Sequence, residues 1–201
     1  MKLFYKPGAC SLSPHIVLCE LALPHTLVKV DLKTHTTESG EDYYTINSKG
    51  YVPALQLESG EVLTEGPAIV QYLADQKPEG GLLPVTGSLA RAQVQEWLNY
   101  IGTELHKNMS PLFRPGLDDQ AKAAVVSTVE KRLAYVEQAL QGKDYLTGSH
   151  FSVADAYLFT VVGWTDHLPV SLEAFPTLQA YQQRVSARPA VQQALKDEGL
   201  I

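Results

Sequence analysis

The sequence predicts a two-part protein: an α/β layer over residues 1–77 and, after a linker at 78–86, an all-helical half over 87–201. Three observations carry this. Strand-like and helix-like patterns alternate from Lys2 to Gln76; the run Lys77-Pro78-Glu79-Gly80-Gly81 then breaks the pattern; beyond it, apolar residues recur only at helical spacing. With 201 residues, 45% of them hydrophobic and 19% charged, the chain can bury a core in each part.

Leu3-Phe4-Tyr5 favours a strand, and Pro7-Gly8 ends it. Ser13 followed by Pro14 marks a helix start, so the first helix is expected from about Pro14 to Ala22. Residues Thr26 to Leu32 alternate as a second strand. A polar stretch from His35 to Gly40 leads into a short helical or irregular segment ending at Asn47-Ser48-Lys49-Gly50. Val52 to Leu57 and Glu61 to Thr64 read as a hairpin across Glu58-Ser59-Gly60. Gly66-Pro67 opens a helix with Ile69, Val70, Tyr72 and Leu73 on its apolar face. The order is βαβ followed by ββα, a mixed sheet of four strands.

In the second half, Val125, Val129, Leu133, Val136 and Leu140 share one helix face, and Phe175, Leu178, Tyr181 and Val185 share another. The run Val153 to Trp164 is apolar nearly all round, which makes it the buried central helix. Ser152 and Asp155 have capping-box spacing, and that spacing accounts for Asp155 without a catalytic role.

The formal charge of −6 and the lack of any Lys/Arg run argue against nucleic-acid binding. No stretch approaches the ~18 apolar residues of a membrane span, and no signal core precedes the first strand, so a cytoplasmic setting is expected. Cys10 and Cys19 are too few for a disulfide framework and too far apart for a metal knuckle, so no metal site is expected. Cys19, in Ile16-Val17-Leu18-Cys19, reads as filler near the core. Cys10 differs, because it sits on a Pro-Gly loop just ahead of a helix. Peptide dipoles there favour the anion and can lower a thiol from about 8.5 to roughly 3.5–7.5.

Taken together, Phe4-Tyr5-Lys6-Pro7-Gly8-Ala9-Cys10-Ser11-Leu12-Ser13, the turn Val52-Pro53-Ala54-Leu55, Leu63-Thr64-Glu65-Gly66, and Phe151-Ser152-Val153-Ala154-Asp155-Ala156-Tyr157 resemble the glutathione S-transferases, specifically the bacterial beta class. The resemblance runs essentially end to end. It implies a thioredoxin-like first domain and an all-α second one. It also implies an enzyme that binds reduced glutathione and presents its sulfur to hydrophobic electrophiles, with glutathione as co-substrate and no other cofactor, and that forms a homodimer.

Residue by residue, the resemblance implies that Pro53 follows a cis bond and that the Val52 main chain pairs with the cysteinyl unit of glutathione. Glu65 would meet the γ-glutamyl ammonium, and the Gly66 N–H at a helix start its carboxylate. Asn99, Thr103 and His106 recur at i, i+4 and i+7, so they share one face of the helix after the linker. In the resemblance, His106 lies near the glutathione sulfur, while Asn99 and Thr103 hold the tripeptide, in part across a dimer interface. Glu104 and Lys107 flank this set as further ligand contacts. Phe113, Trp164 and His167 are the candidates for the electrophile pocket, expected in the cleft between the domains.

The chain also departs from the pattern. His35 stands where relatives commonly carry a lysine for the glycine carboxylate of glutathione, which makes that contact pH-dependent. Gly66 replaces a common serine and Tyr51 a common glutamine. Tyr5 is expected to be secondary and part of the core. Two other readings stand beside conjugation. Cys10-Ser11-Leu12-Ser13 has Cys-x-x-Ser form, which allows glutathione-dependent thiol-disulfide exchange or peroxide reduction with Cys10 as nucleophile. The fold also serves as a ligand-binding module without catalysis.

Overall fold

The computed structural model describes residues 1–201 as two compact units. Met1–Leu83 with Ala187–Ile201 form the first, and Pro84–Ser186 the second.

The first unit is built on five strands: β1 (Lys2–Tyr5), β2 (Thr26–Asp31), β3 (Thr36–Thr37), β4 (Ala54–Gln56) and β5 (Val62–Thr64). Their order across the sheet is β3-β2-β1-β4-β5. β1 runs parallel to β2, with Leu3 opposite Leu27, and antiparallel to β4, with Leu3 opposite Leu55. A parallel neighbour requires a crossover, here helix α1 (Leu12–Glu20), whereas β4 and β5 close as a hairpin. Leu3, Phe4 and Tyr5 are all buried, so the central strand is covered on both faces. α1 packs against α2 (Gly66–Gln76). Phe4, Val30, Tyr43, Val52 and Ala54 form an apolar cluster. Each fully buried aliphatic side chain of this kind is worth roughly 1.5–3 kcal/mol relative to exposure.

Three expectations change. β3 adds a fifth strand; two threonines bracketed by polar residues carry no periodicity, and only their pairing with Val30 and Asp31 makes them a strand. Helix α1 starts at Leu12 rather than Pro14, with Ser11 as its first flanking residue. The turn from Lys6 feeds straight into the helix: Ala9 N–H donates to Lys6 C=O, Leu12 N–H to Ala9 C=O and Ser13 N–H to Cys10 C=O. Pro14 is then the third helical residue, where its missing N–H leaves no bond unmade. Finally, the compact units divide differently from the sequence-based boundary, because 187–201 returns to the first unit. α8 (Pro189–Asp197) lies on α1, held by Arg188 on Glu20 at 2.6 and 2.9 Å and by Glu198, which accepts from Gly8 N–H at 2.9 Å.

In the second unit, α3 (Leu89–Tyr100) is capped by Ser88 and runs without a break into a π-helical segment, Ile101–His106. One turn of α-helix, α4 (Lys107–Met109), and a 3-10 turn, Ser110–Phe113, complete it. Then follow α5 (Asp119–Leu140), the central α6 (Val153–Gly163) and α7 (Pro176–Ser186). Val153 to Val162 are buried without exception. Asp155 lies among them fully buried and accepts four hydrogen bonds: from Ser152 N–H (2.9 Å), Ser152 O–H (2.7 Å), Leu146 N–H (2.9 Å) and Tyr181 O–H (3.0 Å). Its role is structural, as the capping spacing predicts.

Candidate active site

In the first unit, the β1–α1 loop turns at Gly8, whose φ of +69° no L side chain readily adopts, and carries Cys10 to the start of α1. Cys10 S–H donates to Val52 C=O at 3.2 Å. The residue is partly exposed, yet desolvation of its sulfur pushes the thiol up to about 12. The N–H groups of Cys10 and Ser11 work in the opposite direction, and Glu65 adds a smaller upward push. This corrects the expected thiolate. A helix N-terminus is worth ~0.3–1 kcal/mol to an anion, less than the cost of taking a thiolate out of water. Cys10 is a neutral donor.

The facing loop is held rigidly from behind. Tyr43, fully buried, donates to Tyr51 C=O at 2.8 Å, and Asn47 Nδ2 donates to the same oxygen at 2.7 Å. Burial first of all, with a small push from Cys10, takes the Tyr43 phenol up to about 12 against the pull of the Asn47 hydrogen bond, so it stays a donor. The Val52–Pro53 bond is cis, and the strand ladder begins only at Ala54, which leaves the Val52 N–H outside it.

Beside this loop, Glu65 has φ +71°, a left-handed conformation that a glutamate adopts at a cost of about 1–3 kcal/mol. Its carbonyl accepts from Ala68 and Ile69 N–H, both at 3.0 Å. Pro67 has no N–H, so Gly66 presents the leading amide of α2. A Cβ at Gly66 would lie 3.7 Å from Pro53 Cγ, so the two loops touch. The exposed Glu65 carboxylate pairs with Lys49 Nζ, which also donates to Thr64 Oγ1 at 3.0 Å. His35, at φ +53°, stacks on Tyr44 with centroids 4.5 Å apart and packs over Gly50, the residue before Tyr51; its Nδ1 is buried without a partner.

In the second unit, His106 ends the π-helical segment. There Lys107 N–H donates to Gly102 C=O, five residues back. His106 Nδ1 lies 2.7 Å from Tyr157 Oη, and its ring meets Trp164 edge-on at 4.7 Å; Trp164 in turn meets Phe113 at 5.6 Å. The widened turn breaks the straight-helix register behind the shared face expected for Asn99, Thr103 and His106. His106 is half-buried among aromatics, whereas Asn99 and Thr103 are exposed, with Thr103 O–H donating to Asn99 C=O at 3.0 Å. Glu104 is tied to Arg132 at 2.7 Å, and Lys107 is exposed.

Comparison with known proteins bears on both units. Residues 8–76 match the family model for the glutathione S-transferase N-terminal domain, and residues 100–189 that for the C-terminal domain. The glutathione S-transferase GstA of Escherichia coli O157:H7 is 50% identical over 200 residues, covering all of both chains. The chain belongs to the glutathione S-transferase family. A bacterial beta class glutathione S-transferase from Sphingomonas chungbukensis superposes with a TM-score of 0.97 at 49% identity, covering both chains in full. A sphingomonad glutathione S-transferase complexed with glutathione does so with a TM-score of 0.96 at 49% identity, again over both chains in full. The chain groups with the beta class.

Of the residues selected from sequence as glutathione S-transferase site candidates, the fold of the first unit gathers Cys10, Val52, Pro53, Glu65 and Gly66 around one pair of loops. In the second unit it gathers His106, Phe113 and Trp164. His167 is exposed at the end of the turn Trp164–His167. Sequence reasoning missed Tyr43, Asn47, Lys49 and Tyr157. Only Tyr157 carried a signal, as the last residue of the Phe151–Tyr157 run; the others act through contacts that spacing does not encode.

Proposed function

We propose that this protein is a glutathione transferase that binds reduced glutathione and joins its sulfur to electrophilic small molecules. The observation that carries the reading is the Cys10–Val52 contact at the cis-proline loop, bordered by Glu65 and Gly66. Val52 N–H would pair with the cysteinyl carbonyl of glutathione, Gly66 N–H with the γ-glutamyl carboxylate, and Glu65 with the ammonium once it exchanges Lys49. That exchange is easy, because an exposed ion pair is worth only ~0–1 kcal/mol. Cys10 S–H and the amides at Cys10 and Ser11 donate toward the glutathione sulfur and favour its thiolate. With an aromatic halide, that sulfur forms the new C–S bond, halide leaves with the C–halogen electron pair, and the thiol proton passes to a base. We assign His106, oriented by Tyr157, as that base. His35, Asn99, Thr103, Glu104 and Lys107 remain proposed as outer contacts of the tripeptide, and Phe113, Trp164 and His167 as contacts of the electrophile. Glutathione is a co-substrate, and the sulfur chemistry calls for no resident cofactor. A homodimeric, cytoplasmic enzyme of detoxification is the setting this chemistry fits.

The test compares parent, Cys10→Ala and His106→Ala in two assays, conjugation of an aromatic halide and reduction of a glutathione mixed disulfide, alongside calorimetric titration with glutathione. Conjugation lowered by either substitution, with glutathione bound at or below millimolar levels, supports the proposal. Loss in Cys10→Ala of mixed-disulfide reduction alone would assign the cysteine to redox chemistry instead. An active fold that takes up no glutathione at millimolar concentration would overturn the transferase reading and favour a ligand-binding module.

A further inference from the structure

The first unit carries a second group of reactive side chains, unrelated to the glutathione loops. His15 and Cys19 are one helical turn apart on α1, i and i+4, and share a face. The chain then reverses in a Schellman arrangement: Leu23 N–H donates to Leu18 C=O, Ala22 N–H to Cys19 C=O, and Ala22 takes the left-handed φ of +49°. This reversal carries His25 back over the same face. A ring nitrogen of His15, one of His25 and the Cys19 sulfur all lie within 4.8 Å of one another, and the two rings meet edge-on at 5.5 Å.

The hydrogen bonds around these rings are those of metal ligands. His25 Nδ1 lies 2.8 Å from Leu23 C=O, which can only accept, so Nδ1 carries a proton and, in the neutral ring, Nε2 presents the lone pair. His15 Nδ1 lies 3.0 Å from the buried Glu198 carboxylate, which likewise accepts a hydrogen bond from Nδ1–H. His15 Nε2 is then left buried without a hydrogen-bond partner in a side chain that is 0% exposed. An imidazole anchored at Nδ1 by a carboxylate or carbonyl, with Nε2 presented, is the outer-shell pattern of histidine-bound zinc. Asp197 Oδ2 lies 3.8 Å from that same Nε2, while its Oδ1 is held by Gln193 at 2.7 Å. Glu20 lies close enough to act with Asp197 and Glu198 on the Cys19 sulfur, so the surroundings are negative.

We infer that His15, Cys19 and His25 form a binding site for a borderline, thiophilic divalent cation of the zinc type, with Asp197 nearest the fourth position. Two imidazoles and one thiolate suit such an ion better than magnesium or calcium, which take oxygen ligands. Zinc bonds of ~2.0–2.3 Å set tetrahedral ligand atoms roughly 3.3–3.6 Å apart. The group therefore closes by about 1.5 Å at most, through torsions of the partly exposed Cys19 and His25, which also form the entry path. On binding, Cys19 releases its proton to solvent as the metal–sulfur bond forms. The ion would tie α1 to the reversal after it and, through Glu198 and Asp197, to the end of α8. Its role is structural. The proposed site departs from the expectation of no metal site, because that expectation rested on the spacing of the two cysteines and the other ligands here are histidines.

The test uses the full chain, reduced, chelator-stripped and free of glutathione. Cobalt(II) should bind one per chain and produce a sulfur-to-cobalt charge-transfer band with visible bands of tetrahedral intensity. The band should persist in Cys10→Ser and vanish in Cys19→Ser. Zinc affinity measured against a chromophoric chelator should fall at least about 100-fold in Cys19→Ser and at least about 10-fold in His25→Ala. Both substituted residues are partly exposed, so the variants should fold, which circular dichroism checks. Zinc should also raise the melting temperature of the parent and leave that of Cys19→Ser unchanged. No charge-transfer band, a band surviving in Cys19→Ser, or zinc affinity indifferent to His25→Ala would overturn the site and leave His15 an ordinary ion-pairing residue.

Discussion

Cys10 offers the sharpest quantitative check, because two local influences oppose each other at its sulfur. Burial favours the neutral thiol, the adjacent amides favour the thiolate, and burial prevails, placing the thiol at about 12. In a Cys19→Ser background Cys10 is the sole thiol, and its alkylation by iodoacetamide reports thiolate directly. At pH 8, a thiol at about 12 is ionised to roughly one part in 10⁴, against about a quarter for one at about 8.5, a ratio near 2,400. The more basic thiolate is the better nucleophile, and a Brønsted slope of about 0.45 returns some 40-fold of that. The net expectation is a second-order rate about 50–100-fold below that of a free cysteine peptide. The logarithm of the rate should also climb about one unit per pH unit from pH 7 to 9.5 with no plateau, since that window lies wholly below about 12. A plateau below pH 8, or a rate above the peptide's, would show that the amides win and that Cys10 rests as the anion, reopening its role as a redox nucleophile.

Three further outcomes follow from the same contacts. Gly66→Ser fits sterically, since the new Cβ meets Pro53 only at an ordinary 3.7 Å, and a hydroxyl there adds a donor beside Glu65; glutathione affinity by calorimetry should rise about 3–10-fold, from roughly 1 kcal/mol of added hydrogen bonding. An unchanged or weaker affinity would remove Gly66 from the γ-glutamyl contact. Tyr43→Phe and Asn47→Ala each strip one donor from Tyr51 C=O and should cost about 1 kcal/mol in denaturant unfolding, while the double variant exceeds the sum, because the carbonyl then has neither. Strict additivity would mean that the two donors do not act on a common group. Asp155→Ala leaves four donors without their acceptor and should destabilise by about 3–5 kcal/mol, while the specific activity of the folded fraction stays at the parental level; a catalytic loss at intact stability would contradict the structural assignment.

Much of the first unit was legible because its signals are local. The strand at Leu3–Tyr5, the hairpin across Glu58–Gly60 and the Gly66-Pro67 helix start depend on periodicity, turn chemistry and missing N–H groups, all written within a few residues. The expected helix start at Ser13-Pro14 failed for a local reason of another kind. The turn out of Lys6 supplies carbonyls for Leu12 and Ser13, and Ser11 O–H turns back to Lys6 C=O instead of capping. The π-helical segment was illegible, since nothing in Ile101–His106 distinguishes a five-residue from a four-residue hydrogen bond until His106 finds Tyr157 and Trp164.

Composition, periodicity and the four short runs by themselves determined the α/β and all-α halves, the buried central helix, the capping role of Asp155 and the glutathione S-transferase family. These are properties of neighbours in the chain, and a residue's near neighbours are always present. Tertiary structure alone decided the protonation state of Cys10, the return of 187–201 to the first unit, and the meeting of His15 and Cys19 with His25. Desolvation and carboxylate placement sum over groups far apart in sequence, and no spacing rule carries that sum.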